Sequence, residues 1–384
     1  MLEKALRGGK WYWGWVFFLF TLIGIGFISY LHQFKYGLGI TGMSRDVSWG
    51  LYIGQFTFLV GVAASAVVIV LPYYLHNYKV FGRITLLGEF LAVASVTMCM
   101  LFIFVDMGQP MRILNVFLYP TPSSVMFWDA IVLSGYLFLN LLVGWTVLGA
   151  ERKGISPPGW IKPFIILAIA WAPSIHIVTA FLYQGLPGRH LWLTAVMAAR
   201  FLASAFSSGP ALIIILAMIV RKFTKFDPGR EAIQALGRII TYFMIVNVLL
   251  FAFELFTAFY SKIPGHMHPF QYLYGGLYGY GKLLVPMWIS IILAVVALIL
   301  LINPNTRRNE TTLAIAALAT FFSLWVDKGF GLVVGGFIPN PFEKITEYWP
   351  TLPESLIALG IWAGGFLILT VLYKIAITVK EETA

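Results

Sequence analysis

The chain has 384 residues, of which 60% are hydrophobic and only 11% are charged. A soluble domain of this size needs more polar surface than such a composition provides, so we expect an integral membrane protein. The net charge of +10 is what basic loops on one membrane face produce, and it does not indicate a nucleic-acid partner.

Apolar runs follow one another along the chain. Each is long enough for a helix across a hydrocarbon core of about 30 Å, which takes roughly 20 residues. None alternates in the way that the strands of a membrane barrel do. We therefore predict an all-α integral membrane protein, a single polytopic domain over residues 1–384, with about ten transmembrane helices. The runs are Tyr12–Leu31, Trp49–Tyr74, Ile84–Val105, Val125–Leu148, Pro163–Leu182, Thr194–Val220, Ile239–Tyr260, Leu283–Ile302, Leu313–Val333 and Ser355–Thr378.

Basic residues are unevenly distributed between the alternating loops. The amino terminus, the even-numbered connections and the carboxyl terminus hold 17 of the 26 lysines and arginines, the opposite loops hold 8, and Arg200 lies inside a run. Cytoplasmic loops carry the excess of basic residues. We expect a multi-pass protein of the cytoplasmic membrane with both termini in the cytoplasm, and a first run that is a retained anchor instead of a cleaved signal.

The chain offers few ligands for a redox cofactor of its own. Its single cysteine, Cys99, lies within the third run, which excludes a cysteine-ligated iron–sulfur cluster and an intrachain disulfide. Only His176 lies deep in a run, so a bis-histidine haem is not expected. His266 and His268 do not by themselves make a metal site. We predict no haem, no iron–sulfur cluster and no metal site in this chain.

The loops on the expected outer side are long and rich in glycine, proline and aromatic residues. Such segments form fixed turns, whereas flexible linkers are rich in serine and charge. This pattern predicts a structured outer surface on which another protein docks. The loops are residues 37–49, 106–124, 184–192, 261–282 and 328–354.

Several ionisable side chains lie inside the runs, where each charge costs about 2.5 kcal/mol or more. At about 1.5 Å per helical residue, His176, Glu254 and Asp327 lie roughly 20–23 Å from the cytoplasmic side. Asp129 and Arg200 enter from the outer side. The outer half of the membrane therefore combines both signs of charge with a histidine, which indicates a binding site.

Structural interpretations of the same residues remain open. Asp129 can cap its helix, where a carboxylate meets the positive end of the dipole. His176 can bond to carbonyls that a proline kink frees. Arg200 and Glu254 can form an ion pair between neighbouring helices, and Asp106 can begin a helix-end turn.

Three stretches of the chain carry a family resemblance. They are residues 39–54, with Trp-Gly-x-Tyr, residues 106–112, with Asp-x-Gly-x-Pro and a continuation to Asp129, and residues 174–189. In these stretches the chain resembles the polysulfide reductase membrane subunits, also called the NrfD family. The likeness is closest to the branch of the P subunit of the Dsr membrane complex, which accompanies dissimilatory sulfite reduction.

The resemblance implies a subunit without haem or iron–sulfur cluster that binds a quinone near the outer face. The quinone is expected to be menaquinone, and electrons are exchanged with a docked iron–sulfur protein. Further subunits, cytochromes among them, and lipid are expected partners. The resemblance also implies two four-helix bundles, residues 49–182 and 194–337, with the first and tenth helices peripheral.

A quinone site needs titratable groups beside the carbonyl oxygens and an apolar slot for the ring. The predicted catalytic residues are His176, Asp129, Glu254 and Arg200. The predicted quinone-binding residues are Trp49, Tyr52, Asp106, Arg112 and Trp128. Glu89, about 8 Å from the cytoplasmic end of its helix, is predicted to belong to a proton path that couples quinone chemistry to proton translocation.

Two other functions fit parts of the pattern. A secondary transporter for a small anion would bind its substrate at Arg200 and would have broken helices, with candidate breaks at Pro173, Pro210 and residues 331–336. The one-sided distribution of ionisable groups argues against it, because alternating access needs a site reachable from both faces. A passive membrane anchor for peripheral redox subunits would need neither His176 nor Glu254.

Overall fold

The computed structural model describes residues 2–383. Within this range ten helices are long and apolar enough to cross a membrane, and no β-strand occurs. The predicted all-α membrane fold is therefore confirmed. We number the spanning helices in chain order as α1 Lys10–Tyr36, α2 Leu51–Leu75, α3 Thr85–Asp106, α4 Val125–Arg152, α5 Gly159–Gln184, α6 Met197–Phe223, α7 Arg230–Ser261, α8 Leu284–Ile302, α9 Glu310–Phe337 and α10 Leu352–Glu382.

Short helices occupy the termini and the loops. They are Leu2–Leu6, Leu38–Ile40, Lys79–Phe81, Pro110–Arg112, Asn115–Leu118, Pro264–Tyr274 and Pro304–Arg308. With ten spans, both termini lie at one face of the molecule, which we call the proximal face. The loops after α1, α3, α5, α7 and α9 form the opposite, distal face.

The spanning helices pack as two rings of four. Helices α2 to α5 form the first bundle and α6 to α9 the second, with α2 and α5 touching α6 across the boundary. Helices α1 and α10 pair with each other and lie outside the first bundle, where α10 packs on α3. The boundary between the bundles therefore runs between α2 and α5 on one side and α6 and α9 on the other.

Glycines bring helices together at two crossings. A Cβ atom at Gly26 of α1 would lie 2.7 Å from the Cα atom of Gly360 in α10. One at Gly54 of α2 would lie 3.1 Å from the Cα atom of Gly329 in α9. Such distances leave no room for a side chain, so the backbones pack directly, as small residues allow in membranes. These crossings hold α1 to α10 and tie α2 to the second bundle.

Two spanning helices are irregular. Helix α2 consists of Leu51–Ala64 and Val67–Leu75, joined by a turn at Ser65 whose hydroxyl donates to a backbone carbonyl three residues earlier over 2.6 Å. Helix α9 changes to a π-helix over Asp327–Val334. Local π-helices frequently mark functional sites.

The prolines that the sequence offered as helix breaks lie inside continuous helices. Pro173 in α5 and Pro210 in α6 do not end their helices, so these two expected breaks were wrong. Next to Pro173, the hydroxyl of Ser174 donates to the carbonyl of Trp171 over 2.6 Å and satisfies one backbone acceptor near the proline. Only residues 331–336 coincide with irregular helix.

The position of Lys328 also differs from the prediction. The charge pattern places it in an outer loop, whereas the π-helix carries it inside the second bundle with 4% of its surface exposed. The helix continues to Phe337 because the π-turn keeps the backbone hydrogen-bonded past the two charged residues. The distal loops then hold seven basic residues instead of eight, and the asymmetry against the 17 proximal ones remains.

Side-chain bonds join the distal loops. Asp46 accepts a hydrogen bond from Thr346 over 2.8 Å and pairs with Lys344 over 3.3 Å, and these contacts hold the pKa of Asp46 below its usual value. The buried carboxylate of Glu354 accepts from the backbone N–H of Leu51 over 3.2 Å, where it meets the positive end of α2. The loops before α2 and before α10 therefore form one fixed surface.

Candidate functional site

The predicted proton groups of the first bundle lie on facing helices. Thr179 of α5 donates to Oδ1 of Asp129 in α4 over 2.7 Å, and both side chains are buried. His176 lies one turn earlier on α5, fully buried against Gly61 of α2, where a Cβ atom would be 3.3 Å from Nε2. Neither of its ring nitrogens has a hydrogen-bond partner among residues 2–383. It therefore does not bond the carbonyls near the proline kink, and a buried group of this kind calls for an explanation.

An aromatic layer covers this region on the distal side. Trp49 stacks on Trp192 with 5.8 Å between ring centroids and meets the ring of Tyr183 edge-on at 5.6 Å. Tyr183 lies two turns beyond His176 on α5 and shares a short hydrogen bond with Thr57 of α2. Trp49 therefore belongs to a packed layer between His176 and the distal surface.

Tyr52 faces another direction, toward α1. Its hydroxyl donates to Gln33 of α1 over 2.7 Å, and the amide of Gln33 donates to the carbonyl of Val105 over 2.6 Å at the end of α3. The next residue, Asp106, has a buried Oδ1 atom without a partner in the described part of the chain. Tyr52 and Asp106 thus lie in a second polar group, linked by Gln33, which the sequence did not single out.

Two predicted quinone-binding residues lie on the surface. Arg112 is exposed in the short turn Pro110–Arg112. Trp128 is 48% exposed, and its indole N–H donates to the carbonyl of Pro122 over 2.8 Å. Adjacent positions of a helix point about 100° apart, so Trp128 cannot share the buried direction of Asp129.

The second bundle contains a cluster of four charged residues. Arg200 of α6 donates to Glu254 of α7 over 2.5 Å and to Asp327 of α9 over 2.8 Å. The Nζ atom of Lys328 lies 4.1 Å from the ring centroid of Phe201 and 3.4 Å from its carbonyl oxygen. Arg200 pairs with both carboxylates, as buried charges require, whereas Lys328 makes no salt bridge to the other three within residues 2–383. The expected pairing of Arg200 with Glu254 is thus present, and we call these four residues the ion cluster.

Glu89 lies apart from these groups, in the proximal half of the first bundle. It is buried on α3, and neither carboxylate oxygen has a hydrogen-bond partner within residues 2–383. With Tyr136 and Asn140 of α4 it lines a cavity of about 10 Å³, close to the minimum for one water. The Tyr136 hydroxyl donates to the carbonyl of Ala63 at the turn in α2 over 3.3 Å. The arrangement can hold a proton near the centre of the bundle.

Comparison with known proteins identifies the family. The family model described as polysulphide reductase, NrfD, matches residues 39–338, a stretch that contains the predicted site residues and both bundles. This chain belongs to the NrfD family. The family resemblance seen in the sequence is therefore confirmed, while the special likeness to the Dsr P subunit stays a prediction.

Named relatives of this NrfD chain match it over nearly its whole length. It is 26% identical to a protein of Halobacterium salinarum that is provisionally named as a membrane subunit of dimethyl sulfoxide reductase, over 92% of this chain and 89% of that protein. It is 23% identical to the Hdr-like menaquinol oxidoreductase integral membrane subunit of Archaeoglobus fulgidus, over 97% and 94%. It is 22% identical to the menaquinone reductase integral membrane subunit of Nitratidesulfovibrio vulgaris, over 94% and 90%.

Proposed function

We propose that this chain is the quinone-interacting membrane subunit of a multi-subunit respiratory redox complex. In this proposal electrons pass between menaquinone or menaquinol and an iron–sulfur protein docked at the outer face. Two relatives are named for menaquinol or menaquinone. The distal half of the first bundle holds titratable groups of the kind that quinone chemistry uses.

Two buried groups of the first bundle, His176 and Asp129, carry the proposal. A quinone takes up or releases two protons with its two electrons, so its site needs a hydrogen-bond donor and an acid or base within an apolar environment. Neither ring nitrogen of His176 has a partner among residues 2–383, which leaves one free to donate to a carbonyl oxygen. Asp129, held by Thr179, can take or give a proton. Trp49 would supply an aromatic wall.

The remaining predicted quinone-binding residues have secondary roles in this proposal. Tyr52 and Asp106 form the neighbouring polar group, where the Oδ1 atom of Asp106, without a partner in the described part of the chain, can serve as a second proton group. The surface positions of Arg112 and Trp128 suit contact with a partner protein or with lipid better than contact with the quinone ring.

The distal loops are the proposed docking surface for the iron–sulfur protein. The bonds of Asp46 and Glu354 fix the two loops that they join, so little ordering entropy is lost on docking. Lys262, Lys282 and Lys344 are exposed on this face and suit an acidic partner surface. Further subunits, cytochromes among them, would complete the complex.

We also propose that Glu89 belongs to a proton path from the proximal, cytoplasmic side. Its carboxylate has no hydrogen-bond partner among residues 2–383, and its small cavity lies beside Tyr136 and the turn in α2. Protons taken from the cytoplasm for chemistry near the outer face would make electron transfer electrogenic.

One observation favours transport of a small anion as a second function. The turn at Ser65 and the π-helix Asp327–Val334 interrupt two helices, and transporters bind substrates at such interruptions. However, the guanidinium of Arg200 is already held by Glu254 and by both oxygens of Asp327, which leaves it little capacity for an anion. We therefore rank transport below the quinone function.

Bound quinone in the purified complex tests the proposal. The complex would be isolated with its partners in mild detergent, and menaquinone would be quantified per chain after lipid extraction. We expect a substantial fraction of one quinone per chain, a lower content in His176→Ala, and no change in His32→Ala, since His32 is exposed on α1. A complex that retains its partners but carries no quinone would favour the passive anchor.

A further inference from the structure

A cavity of about 260 Å³ opens at the distal end of the second bundle. Its wall combines apolar side chains with three titratable ones, and it is formed by α7, the loop before α6 and the short helix Pro264–Tyr274. The volume is large enough for several waters. The residues that matter here are His190, His266, Glu254, Thr194 and Thr257.

The titratable groups of this cavity are arranged by depth. Of the three lining groups, His190 is exposed, His266 is partly buried, and Glu254 is 9% exposed. The two imidazole rings lie 5.3 Å apart between centroids. A Cβ atom at Gly265 would lie 2.6 Å from Cδ2 of His190, so glycine at this position is what lets the two rings approach. The exposure of the three titratable groups therefore decreases from His190 through His266 to the buried carboxylate of Glu254.

Glu254 connects the cavity to the ion cluster. Arg200 donates to its Oε2 atom over 2.5 Å, while its Oε1 atom has no donor among the described residues and belongs to the group that lines the cavity. One carboxylate therefore has a charged partner on one side and open space on the other. The other terminal nitrogen of Arg200, Nη2, donates to Asp327. The guanidinium therefore stays paired when Glu254 is protonated.

Other charged groups face this site from each neighbouring element. Helix α9 contributes Asp327 and Lys328, and Tyr274 at the end of the short helix lies within electrostatic reach of Arg200 and Glu254. His268 is turned away, since its Nδ1 atom pairs with Glu343 over 2.5 Å. Burial and the neighbouring His190 lower the pKa of His266.

We propose that this cavity is a water-filled proton-exchange site, separate from the quinone site, through which the ion cluster communicates with the outer compartment. A proton leaves Oε1 of Glu254 for a cavity water or the His266 ring, passes to His190 and is released to bulk water. Glu254 then returns to the carboxylate form beside Arg200. The open access does not depend on the proposed quinone function, whereas its use during turnover rests on that function.

Thiol labelling of the full chain in membrane vesicles tests the access. Cysteine would replace Thr257, which lines the cavity, in a Cys99→Ala background that removes the native thiol. The matched control is Phe256→Cys, one residue earlier on α7 and 64% exposed on the apolar outside of the bundle. A membrane-impermeant thiosulfonate reacts with thiolate, which forms in water and not in lipid. We expect Thr257→Cys to react at least about tenfold faster than the control from the distal side.

A labelling rate for Thr257→Cys at or below that of Phe256→Cys would overturn the proposal. Zinc ion serves as a second probe, because two close imidazoles can share a Zn²⁺ ion. Zn²⁺ should slow labelling of Thr257→Cys, and the His190→Gln and His266→Gln double variant should lose this protection. His268→Gln, whose ring points to Glu343, should keep it. Protection that persists in the double variant would place the metal elsewhere and contradict the assigned residues.

Turnover separates this inference from the proposed function. In vesicles oxidising a menaquinol analogue, His190→Gln with His266→Gln should reduce proton release to the outer side by at least about threefold. Electron transfer measured with an uncoupler should be unchanged. Equal proton release in the wild type and the double variant would show that the cavity does not release protons during quinol oxidation. A wild type that does not oxidise quinol at all would refute the quinone function while leaving the labelling result to decide the access.

Discussion

Buried charge in the second bundle is compensated residue by residue. Arg200 holds Glu254 and Asp327 from two sides, and its guanidinium also lies 4.8 Å from the ring centroid of Phe251. Removing one partner of a buried pair leaves an uncompensated charge, which costs much more than the pair itself contributes. The ion cluster therefore acts as a unit in which Arg200 is the shared member.

Substitution of Arg200 tests this view. Arg200→Ala should lower the free energy of unfolding by about 3–5 kcal/mol, because two carboxylates lose their common partner. Arg221→Ala is the control, since its ion pair with Glu310 is about one-third exposed, and exposed pairs contribute about 1 kcal/mol or less. Thermal unfolding of both variants in detergent gives the comparison. Equal losses would contradict a shared buried cluster.

Glu89 provides a second prediction at this scale. Glu89→Gln keeps the size of the side chain but cannot carry a proton, so we expect quinone content to stay at the wild-type level. Turnover that draws protons from the proximal side should fall by about 100-fold, the scale of losing one proton-transfer group. Stopped-flow measurement of proton uptake in vesicles checks this. Unchanged uptake would remove Glu89 from the path.

The sequence identified most of the buried ionisable residues and the Arg200–Glu254 pair, but not the burial of Lys328 or the direction in which each side chain points. Hydropathy shows that His176, Asp129 and Glu254 lie inside helices, yet it does not give the direction in which a side chain points. Trp128 was predicted to bind the quinone, but the helical rotation between it and Asp129 places it on the surface. Lys328 was counted in the outer loop 328–354, although the apolar run Leu313–Val333 extends past it. The sequence did contain one sign of the full ion cluster: Lys328 follows Asp327 directly inside an apolar run.

Helix packing depends on a few positions without side chains. The crossing of α1 and α10 at Gly26 and Gly360 brings the two backbones into contact. It holds α1 to the remainder of the fold, because most of the α1 surface is exposed outside the bundles. A side chain added at Gly26 would meet backbone atoms of α10 and could not avoid them by rotating.

A pair of glycine substitutions tests the crossing. Gly26→Val should destabilise the protein by about 1–3 kcal/mol, since the added carbons meet backbone atoms that cannot yield. Gly24→Val is the control on the same helix, where an added Cβ meets nothing within 4 Å, and its effect should stay within about 0.5 kcal/mol. Thermal unfolding in detergent measures both. A Gly26 variant as stable as the Gly24 variant would mean that α1 packs differently.

Spans are easier to predict from sequence than irregular helix. Ten apolar runs gave ten spanning helices because length and hydropathy alone decide whether a segment crosses the bilayer. The turn at Ser65 carries neither glycine nor proline, and its geometry is fixed by packing against α6, where a Cβ atom at Gly209 would lie 1.6 Å from the Ser65 hydroxyl. Likewise, the π-helix at Asp327 depends on the partners that Asp327 and Lys328 find in the second bundle. Such tertiary causes are not visible in a single helix.

Orientation of the whole molecule follows from its basic residues and remains a prediction. Reporter fusions at Glu151 and Arg308 should report the cytoplasm, and fusions at Gly265 and Asn340 should report the outer compartment. Amine cross-linking of the complex should join the iron–sulfur protein to Lys262, Lys282 or Lys344. Reversed fusions, or cross-links formed only from Lys153 and Lys225 on the proximal face, would place both docking and quinone chemistry on the wrong side.

Oxidation of a soluble menaquinol analogue by the purified complex, with the iron–sulfur partner as electron acceptor, measures the proposed function most directly. His176→Ala and Asp129→Asn should each slow this electron transfer by about 100-fold, because each removes a group that donates to the quinone or moves its proton. Subunit stoichiometry should stay unchanged, and His32→Ala should behave as the wild type. Wild-type turnover in both variants, measured in intact complexes, would contradict the account and leave the passive anchor as the better explanation.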